Sequence, residues 1–287
     1  MTASPPVAPP AVHPESEDAA DLETLALWLA RGAADVVRAG RADPFAVDSK
    51  STATDLVTEV DRASESWLVA RLAELRPGDG VLGEEGAGHD GGSTGARVRW
   101  VVDPIDGTVN FVLGLPEYAV SVAAEVAGTV VAGAVCNPVS GDTFHARRGG
   151  GAVLLRAGQP PRTLSGPRAV PLERAIVGTG FGYDAAMRAR QVAVVAELLP
   201  RIADIRRIGS AALDLCRVAA GTLDAYFEAG LNPWDHAAGA LVATEAGCRV
   251  TGPGGGEPTM QLVAAAGPDL SAELVRVLGE LGADRVC

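Results

Sequence analysis

The sequence has little basic charge and almost no lysine. Lys50 is the one lysine among 24 basic residues, which face 36 acidic residues and leave a net charge of −12. Proteins that bind nucleic acid usually present a basic face, because contacts with phosphates dominate their affinity. We therefore expect no direct binding to nucleic acid. If the protein handles a phosphate, something other than its overall charge must neutralise that anion.

The sequence also lacks long apolar runs and any regular cysteine pattern. No run approaches the ~18 residues that a membrane-spanning helix needs, so no membrane association is expected. The four cysteines (Cys136, Cys216, Cys248 and Cys287) include no C-x-x-C pair, and the four histidines show no H-x-x-x-H spacing. These absences argue against a zinc site or a disulfide framework and favour a reducing, cytoplasmic location.

Aromatic residues are scarce, at 4% of the 287 residues, whereas apolar residues make up 47%. A core must therefore be built mainly from alanine, valine and leucine, and the length allows one large domain or two medium ones. Residues 1–20 are rich in proline and alanine and then acidic. This composition predicts a disordered tail, without the basic start and apolar centre of a signal peptide.

Hydrophobic periodicity predicts helices and strands beyond that tail. We expect residues 21–160 to form an α+β half and residues 161–287 an α/β half, joined in one continuous unit. A pair of strands is predicted around the turn at Ala127-Gly128, and a loose glycine-rich excursion at 86–97. The predicted helices cover 18–39, 59–76, 184–200, 210–220, 235–246 and 270–281.

The stretch WVVDPIDGTVNF, residues 100–111, ends an apolar run with two aspartates three residues apart. Pro104 and Gly107 favour a tight turn that lets Asp103 and Asp106 face one point. Two carboxylates ~4 Å apart repel by roughly 4 kcal/mol at an effective dielectric of 20. A cation would remove that cost, and a set of oxygen ligands favours Mg²⁺ or Mn²⁺ over zinc. An Asp-capped turn without a metal would explain this stretch equally well.

Three further acids stand at the ends of predicted elements. Glu84 follows a short apolar run, Asp61 starts a predicted helix, and Asp235 stands at the start of another. Each also has an ordinary structural interpretation, as an exposed loop acid, a helix-start acid and an N-cap respectively. Together with Asp103 and Asp106 they favour a shared site over isolated turns and caps.

Three separate segments resemble the inositol monophosphatase family, in particular its SuhB-like bacterial branch. They are GEE at 83–85, WVVDPIDGTVNF at 100–111 and WDHAAGALVATEAG at 234–247, and residues 204–230 also resemble the family's substrate-side segment. The resemblance runs from about residue 20 to residue 285. It implies a layered αβαβα sandwich, usually dimeric, and a lithium-sensitive phosphatase that depends on Mg²⁺.

The resemblance also implies roles for individual residues. The first metal would be held by Glu84, Asp103 and the carbonyl of Ile105, and the second by Asp103, Asp106 and Asp235. Glu84 would also help with a third ion through waters. The attacking water would be oriented and deprotonated by Thr108, backed by Asp61.

On the substrate side, the backbone amides of Gly107 and Thr108 would hold phosphate oxygens. The alcohol part of the substrate would face Glu228, with Gly209, Ser210 and Ala211. Ile105, Asp106 and Asp235 also belong to the expected substrate contacts, and Lys50 is expected to help close the site.

The expected reaction is hydrolysis of myo-inositol 1-phosphate or a similar small polyol phosphate. A carboxylate at position 228 would accept hydroxyl protons from a polyol but repel a second phosphate. Histidinol phosphate, fructose 1,6-bisphosphate and 3′-phosphoadenosine 5′-phosphate are alternative substrates for the same chemistry, and Arg206 or Arg207 could serve the last two. A dimeric regulatory interaction protein without catalysis is the alternative from a different class.

Overall fold

The computed structural model describes residues 8–42, 44–52, 55–86 and 97–287. Seven α-helices and fourteen β-strands lie in these ranges. The helices are α1 (Ala19–Ala42), α2 (Glu59–Leu75), α3 (Thr108–Leu113), α4 (Ala185–Leu198), α5 (Ala211–Ala219), α6 (Pro233–Glu245) and α7 (Pro268–Glu280). The strands are β1 (Val47–Ser49), β2 (Leu56–Thr58), β3 (Gly80–Gly83), β4 (Val98–Asp106), β5 (Ala119–Val126), β6 (Thr129–Cys136), β7 (Thr143–Arg147), β8 (Gly151–Leu155), β9 (Arg162–Thr163), β10 (Ile176–Thr179), β11 (Asp204–Arg206), β12 (Ala225–Glu228), β13 (Arg249–Thr251) and β14 (Val263–Ala266).

The elements stack in five layers. Helices α1 and α2 cover one face of a seven-stranded sheet of order β3-β4-β5-β6-β7-β8-β9. Helices α5 and α6 lie between its other face and a five-stranded sheet of order β11-β10-β12-β14-β13. Helices α4 and α7 cover the outer face of this smaller sheet. The predicted layered αβαβα sandwich is confirmed, and each helix layer buries its apolar face against a sheet.

Two helices begin earlier than the periodicity indicates. The helices predicted at 235–246 and 270–281 start at Pro233 and Pro268. Proline is well suited to the first helical position, because its fixed φ fits the helix and its missing N–H needs no partner there. For α6 this shift matters, since it makes Asp235 the third residue of the helix rather than its first.

The disordered tail at residues 1–20 stays a prediction, although part of this segment contacts the rest of the chain. Arg76 is 1% exposed, pairs with Asp79 at 2.6 Å and donates hydrogen bonds to the carbonyls of His13 and Ser16, each at 2.8 Å. This buried guanidinium fixes the chain that leads into α1, which composition alone does not reveal. Residues 1–7, and residues 87–96 of the predicted glycine-rich excursion, lie outside the described residues.

The predicted boundary between two halves near residue 160 falls beside β9, the last strand of the large sheet. The division into residues 21–160 and 161–287 stays a prediction. In the described part of the chain, no helix is both long and apolar enough to cross a membrane.

Candidate active site

A cavity of about 400 Å³ lies where β4 ends and α5 and α6 begin. The loop between β1 and β2 and residues 181–184 form its rim. The structure brings nearly all of the predicted site residues to this cavity. Its lining includes Lys50, Glu84, Asp103, Ile105, Asp106, Gly107, Thr108, Gly209, Ser210, Ala211, Glu228 and Asp235.

The end of β4 is built to hold two carboxylates in fixed positions. The pairing of β4 with β5 shifts register between Asp103 and Asp106, so the strand leaves its regular course there. Asp103, 1% exposed, accepts a hydrogen bond from the backbone N–H of Ile105 at 3.0 Å. Gly107 then takes φ +98° and starts α3, a conformation that a side chain would strain.

Asp106 lies against the start of α5. It accepts hydrogen bonds from the hydroxyl of Ser210 at 2.6 Å and from the backbone N–H groups of Ala212 at 2.7 Å and Ala211 at 3.3 Å. Ser210 also caps α5 by accepting from Leu213 N at 3.3 Å. The positive end of a helix thus stabilises this carboxylate. Burial nevertheless raises the pKa of Asp106 to about 6.

Thr108 and Asp61 form a buried pair beside the cavity. The Thr108 hydroxyl lies 3.0 Å from Asp61 Oδ1 and 3.0 Å from the carbonyl oxygen of Ile105, with Asp61 fully buried. Asp61 also accepts from the backbone N–H of Thr58 at 2.9 Å, which completes a capping box at the start of α2. The interpretation of Asp61 as a helix-start acid is therefore confirmed, and the same carboxylate also accepts from Thr108.

Asp235 occupies the third position of a capping box in α6, where it accepts from the backbone N–H of Asn232 at 2.7 Å. The N-cap is Asn232, so the interpretation of Asp235 as an N-cap is wrong by three residues. The side chain also faces the cavity. Burial and the charges of Asp106 and Glu84 raise the pKa of Asp235 well above its usual range.

Lys50 reaches the acidic wall of the cavity from the β1–β2 loop. Its Nζ lies 2.9 Å from Glu84 Oε1 and also contacts Glu85. Burial raises the pKa of Glu84 to about 7 although Lys50 opposes the shift. Burial, then the charges of Glu84, Asp106 and Asp235, raise the pKa of Asp103 well above its usual range. The four acids therefore repel one another across one small volume.

These acids fit hard divalent cations by their chemistry. All four candidate side chains are carboxylates, and the charge repulsion among them is what a cation would relieve. Over the described ranges, however, no three Asp, Glu, His or Cys side chains stand close enough together to enclose a metal as they are. Each carboxylate is instead turned toward a local donor: Lys50, or the backbone N–H of Ile105, Ala212 or Asn232.

The opposite wall of the cavity carries Glu228 at the end of β12. Its Oε2 accepts from the Tyr226 hydroxyl at 2.6 Å, and burial raises its pKa to about 7. Gly180 lies against it: a Cβ there would be 2.0 Å from Glu228 Oε2. Of the two neighbouring arginines, Arg207 lines the cavity, whereas Arg206 is paired with Asp204 on the surface at 2.5 Å.

Several supporting residues escaped the sequence analysis. The Ser64 hydroxyl donates to the carbonyl of Pro104 at 3.3 Å, and buried Glu65 accepts from the backbone N–H of Glu85 at 2.8 Å. Asp61, Ser64 and Glu65 are spaced i, i+3, i+4, which places them on one face of α2. Polar residues at that spacing were the signal that could have found them.

His236 is a partly buried residue of α6. Its Nδ1 is buried without a hydrogen-bond partner among the described residues, and burial lowers the pKa of the imidazole to about 4. The side chain lies on the face of α6 that lines a separate cleft with Glu125 and Arg148. It takes no part in the site around Asp103.

Asp214, buried in α5 beside Arg217 at 3.2 Å, provides a pH-dependent test of this electrostatic environment. Burial raises its pKa from 3.8 to about 7. Between these values the folded protein binds more protons than the unfolded chain, so this group makes stability fall as pH rises. We expect Asp214→Asn to gain stability relative to wild type from pH 4 to pH 7, by up to about 1.4 kcal/mol per pH unit. Urea unfolding measures this, and a constant difference would contradict it.

Comparisons with known proteins agree with this geometry. Residues 18–282 match the model of the inositol monophosphatase family. Inositol-1-monophosphatase SuhB of Mycobacterium tuberculosis is 48% identical over 281 residues, covering 93% of this chain and 96% of that protein. The Nus factor SuhB of Pseudomonas aeruginosa is 42% identical over 232 residues, covering 78% and 82%. The solved structure of Mycobacterium tuberculosis SuhB superposes with a TM-score of 0.78 at 43% identity, over 93% of this chain and 98% of that one. The chain therefore belongs to the inositol monophosphatase family.

Proposed function

We propose that this protein is a Mg²⁺-dependent phosphomonoesterase that hydrolyses myo-inositol 1-phosphate or a similar small polyol phosphate. Family membership supports phosphatase chemistry. The observation that carries the proposal is the single cavity lined by Glu84, Asp103, Asp106 and Asp235, with Thr108 at its wall. The four carboxylates can bind cations, and those cations would neutralise an anionic substrate in the same cavity.

The residues that would hold metal are divided between two positions. Glu84, Asp103 and the carbonyl of Ile105 would hold one ion, while Asp103, Asp106 and Asp235 would hold another. Bound there, the cations supply the positive charge that the phosphate requires and lower the pKa of the attacking water. This also explains how a protein of net charge −12 can accept an anion.

The chain itself positions the attacking water. The Thr108 hydroxyl can pass its proton to Asp61, 3.0 Å away, while its oxygen accepts a proton from the water. Burial raises the pKa of Asp61, which makes this carboxyl a better proton acceptor than an exposed aspartate. The backbone N–H groups of Gly107 and Thr108 would orient the phosphate oxygens.

The alcohol part of the substrate would lie between Glu228 and the start of α5 at Gly209, Ser210 and Ala211. A carboxylate there accepts hydrogen bonds from hydroxyl groups and disfavours a second anionic group. We expect Glu228→Gln to change the ranking of substrates at least tenfold while the Mg²⁺ requirement stays the same. Gly180→Ala should mimic it, because the added Cβ must displace the Glu228 carboxylate. Phosphate release from polyol and bisphosphate substrates measures both variants, and an unchanged ranking would remove Glu228 from the substrate contacts.

Two alternatives rest on specific observations. Arg207 on the cavity wall supports a substrate with more negative charge, such as fructose 1,6-bisphosphate or 3′-phosphoadenosine 5′-phosphate; histidinol phosphate would need no such contact. The relatives named Nus factor SuhB support a regulatory interaction protein, with or without catalysis.

We also propose a cytoplasmic homodimer. All four cysteines are free thiols, which suits a reducing compartment. Leu113, the last residue of α3, and Leu115, two residues later, are 68% and 47% exposed and would be covered in a dimer.

Phosphate release from inositol 1-phosphate, histidinol phosphate, fructose 1,6-bisphosphate and 3′-phosphoadenosine 5′-phosphate, each with Mg²⁺ and with EDTA, tests the function. Mg²⁺-dependent release led by inositol 1-phosphate is the expected result, and lithium at millimolar levels should inhibit it. If another substrate were hydrolysed fastest, the proposed substrate would change, whereas the proposed mechanism would stand. No release from any of them by folded protein would favour the regulatory interaction protein.

A further inference from the structure

Two chain segments about a hundred residues apart meet at the centre of the cavity. One is the turn that carries Asp106, Gly107 and Thr108; the other is the approach to α5, residues 207–210. Their backbones are in direct contact, because a Cβ on Gly107 would lie 2.9 Å from the carbonyl oxygen of Gly209. Catalysis on a polyol phosphate needs these two segments in register, since one faces the phosphate and the other the alcohol.

Asn110 joins the two segments. It is 4% exposed in α3, and its side-chain Nδ2 lies 2.6 Å from the carbonyl oxygen of Glu117, 2.9 Å from that of Ile208 and 3.5 Å from that of Gly209. The amide has two N–H groups, so it can serve the first two carbonyls fully. It thus ties α3 and the chain that follows α3 to the segment before α5.

The fit around Asn110 is tight. Gly209 has φ +97°, and a Cβ there would lie 3.0 Å from Asn110 Nδ2 and 2.5 Å from a guanidinium nitrogen of Arg207. The approach to α5 therefore follows the asparagine without room for a side chain between them. Asp106 also accepts hydrogen bonds from the start of α5. Because Asp106 is a proposed metal ligand, its hydrogen bonds to α5 would compete with metal binding. The bonds of Asn110 end on backbone carbonyls and have no such competitor.

We propose that Asn110 is a positioning residue that aligns the phosphate-facing turn with the alcohol-facing start of α5. This inference rests on the proposed function and assigns the residue no contact with substrate. Loss of the Asn110 amide should slow the hydrolysis of substrates that contact both segments. It should slow less the hydrolysis of substrates that contact only the phosphate-facing turn. A misplacement of about 1 Å in such alignment can reduce turnover by roughly 10²-fold.

The test compares Asn110→Asp with Asn137→Asp. Asn137 is also buried and donates through Nδ2 to a nearby carbonyl, that of Pro116 at 2.9 Å, but it does not line the cavity. Both substitutions replace a donor by an acceptor that faces a carbonyl. Asn110→Ala serves as a second variant if Asn110→Asp does not fold, because alanine removes the donor without adding a charge.

Two measurements decide the outcome. We expect kcat/KM for inositol 1-phosphate to fall roughly 30- to 100-fold in the Asn110 variants. For p-nitrophenyl phosphate, whose alcohol part has no further hydroxyl groups to align, kcat/KM should fall less than about 5-fold. Amide hydrogen exchange at Ala211 and Ala212 should become faster in these variants and stay unchanged in Asn137→Asp. Equal losses on both substrates, or unchanged exchange, would overturn the positioning role while leaving the proposed function intact. Failure of wild type on every phosphate would instead overturn the proposed function and, with it, any catalytic role for Asn110.

Discussion

Asp103→Asn is expected to abolish phosphate release while leaving the metal-free protein at least as stable as wild type. Asp103 is 1% exposed and faces the charges of Glu84, Asp106 and Asp235, which together with burial raise its pKa well above its usual range. In the proposed site it would hold both metals, so its loss should reduce kcat at least 10³-fold. The neutral amide also removes the free-energy cost of burying an ionisable acid among other acids, which favours folding without metal.

Paired melting experiments separate this result from simple misfolding. In EDTA, Asp103→Asn should melt at the same temperature as wild type or higher, and Mg²⁺ should raise the melting temperature of wild type only. Asp224→Asn is a suitable control, since Asp224 is 5% exposed and accepts from Ile176 N at 2.8 Å, away from the cavity. It should retain activity. Near-normal turnover in Asp103→Asn would rule out a metal site that depends on this residue.

Thr108→Val should reduce kcat by roughly 10²- to 10³-fold with a small change in KM. Valine has nearly the same shape but cannot bond to Asp61 or to the carbonyl of Ile105, each 3.0 Å from the Thr108 hydroxyl. The attacking water would then lose the group that orients it and accepts its proton. The loss of such general acid–base catalysis typically reduces the rate by roughly this factor. Single-turnover phosphate release measures the chemical step directly.

Two companion variants show whether the hydroxyl itself matters. Thr108→Ser keeps the hydroxyl and should remain within about tenfold of wild type. Thr143→Val removes a hydroxyl that is equally buried, in β7 away from the cavity, and should leave kcat unchanged. If serine and valine at position 108 were equally poor, the role of Thr108 would be one of packing.

The layer order could be predicted through the family resemblance. About half of the residues that line the cavity could be predicted as site residues, in part for a local reason. The Asp103–Thr108 turn lies within one short segment, where proline and glycine determine how the chain bends. Family resemblance then connects this segment to Glu84 and Asp235. The pair of strands around Ala127-Gly128 was likewise predicted, because β5 and β6 are joined by a two-residue turn that is visible in the sequence.

Other parts of the site depend on contacts that no local pattern encodes. The carbonyl oxygens that Asn110 reaches belong to residues 117 and 208–209. The link between Lys50 and Glu84 spans 34 residues. The burial of His236 comes from the packing of α6 rather than from its neighbours in the sequence. Such contacts arise only when separate elements dock, so periodicity and motifs do not specify them.

Asp61 bonds both to the start of α2 and to Thr108, so the stability of that helix end affects the proposed catalytic pair. One oxygen of its carboxylate completes the cap at the start of α2, and the other lies 3.0 Å from the Thr108 hydroxyl. Helix ends are the places where local opening needs the least free energy. If the first turn of α2 frays on warming, the cap and the partner of Thr108 are lost together. The upper temperature limit of activity would then be set by one helical turn and would lie below the melting temperature of the whole domain.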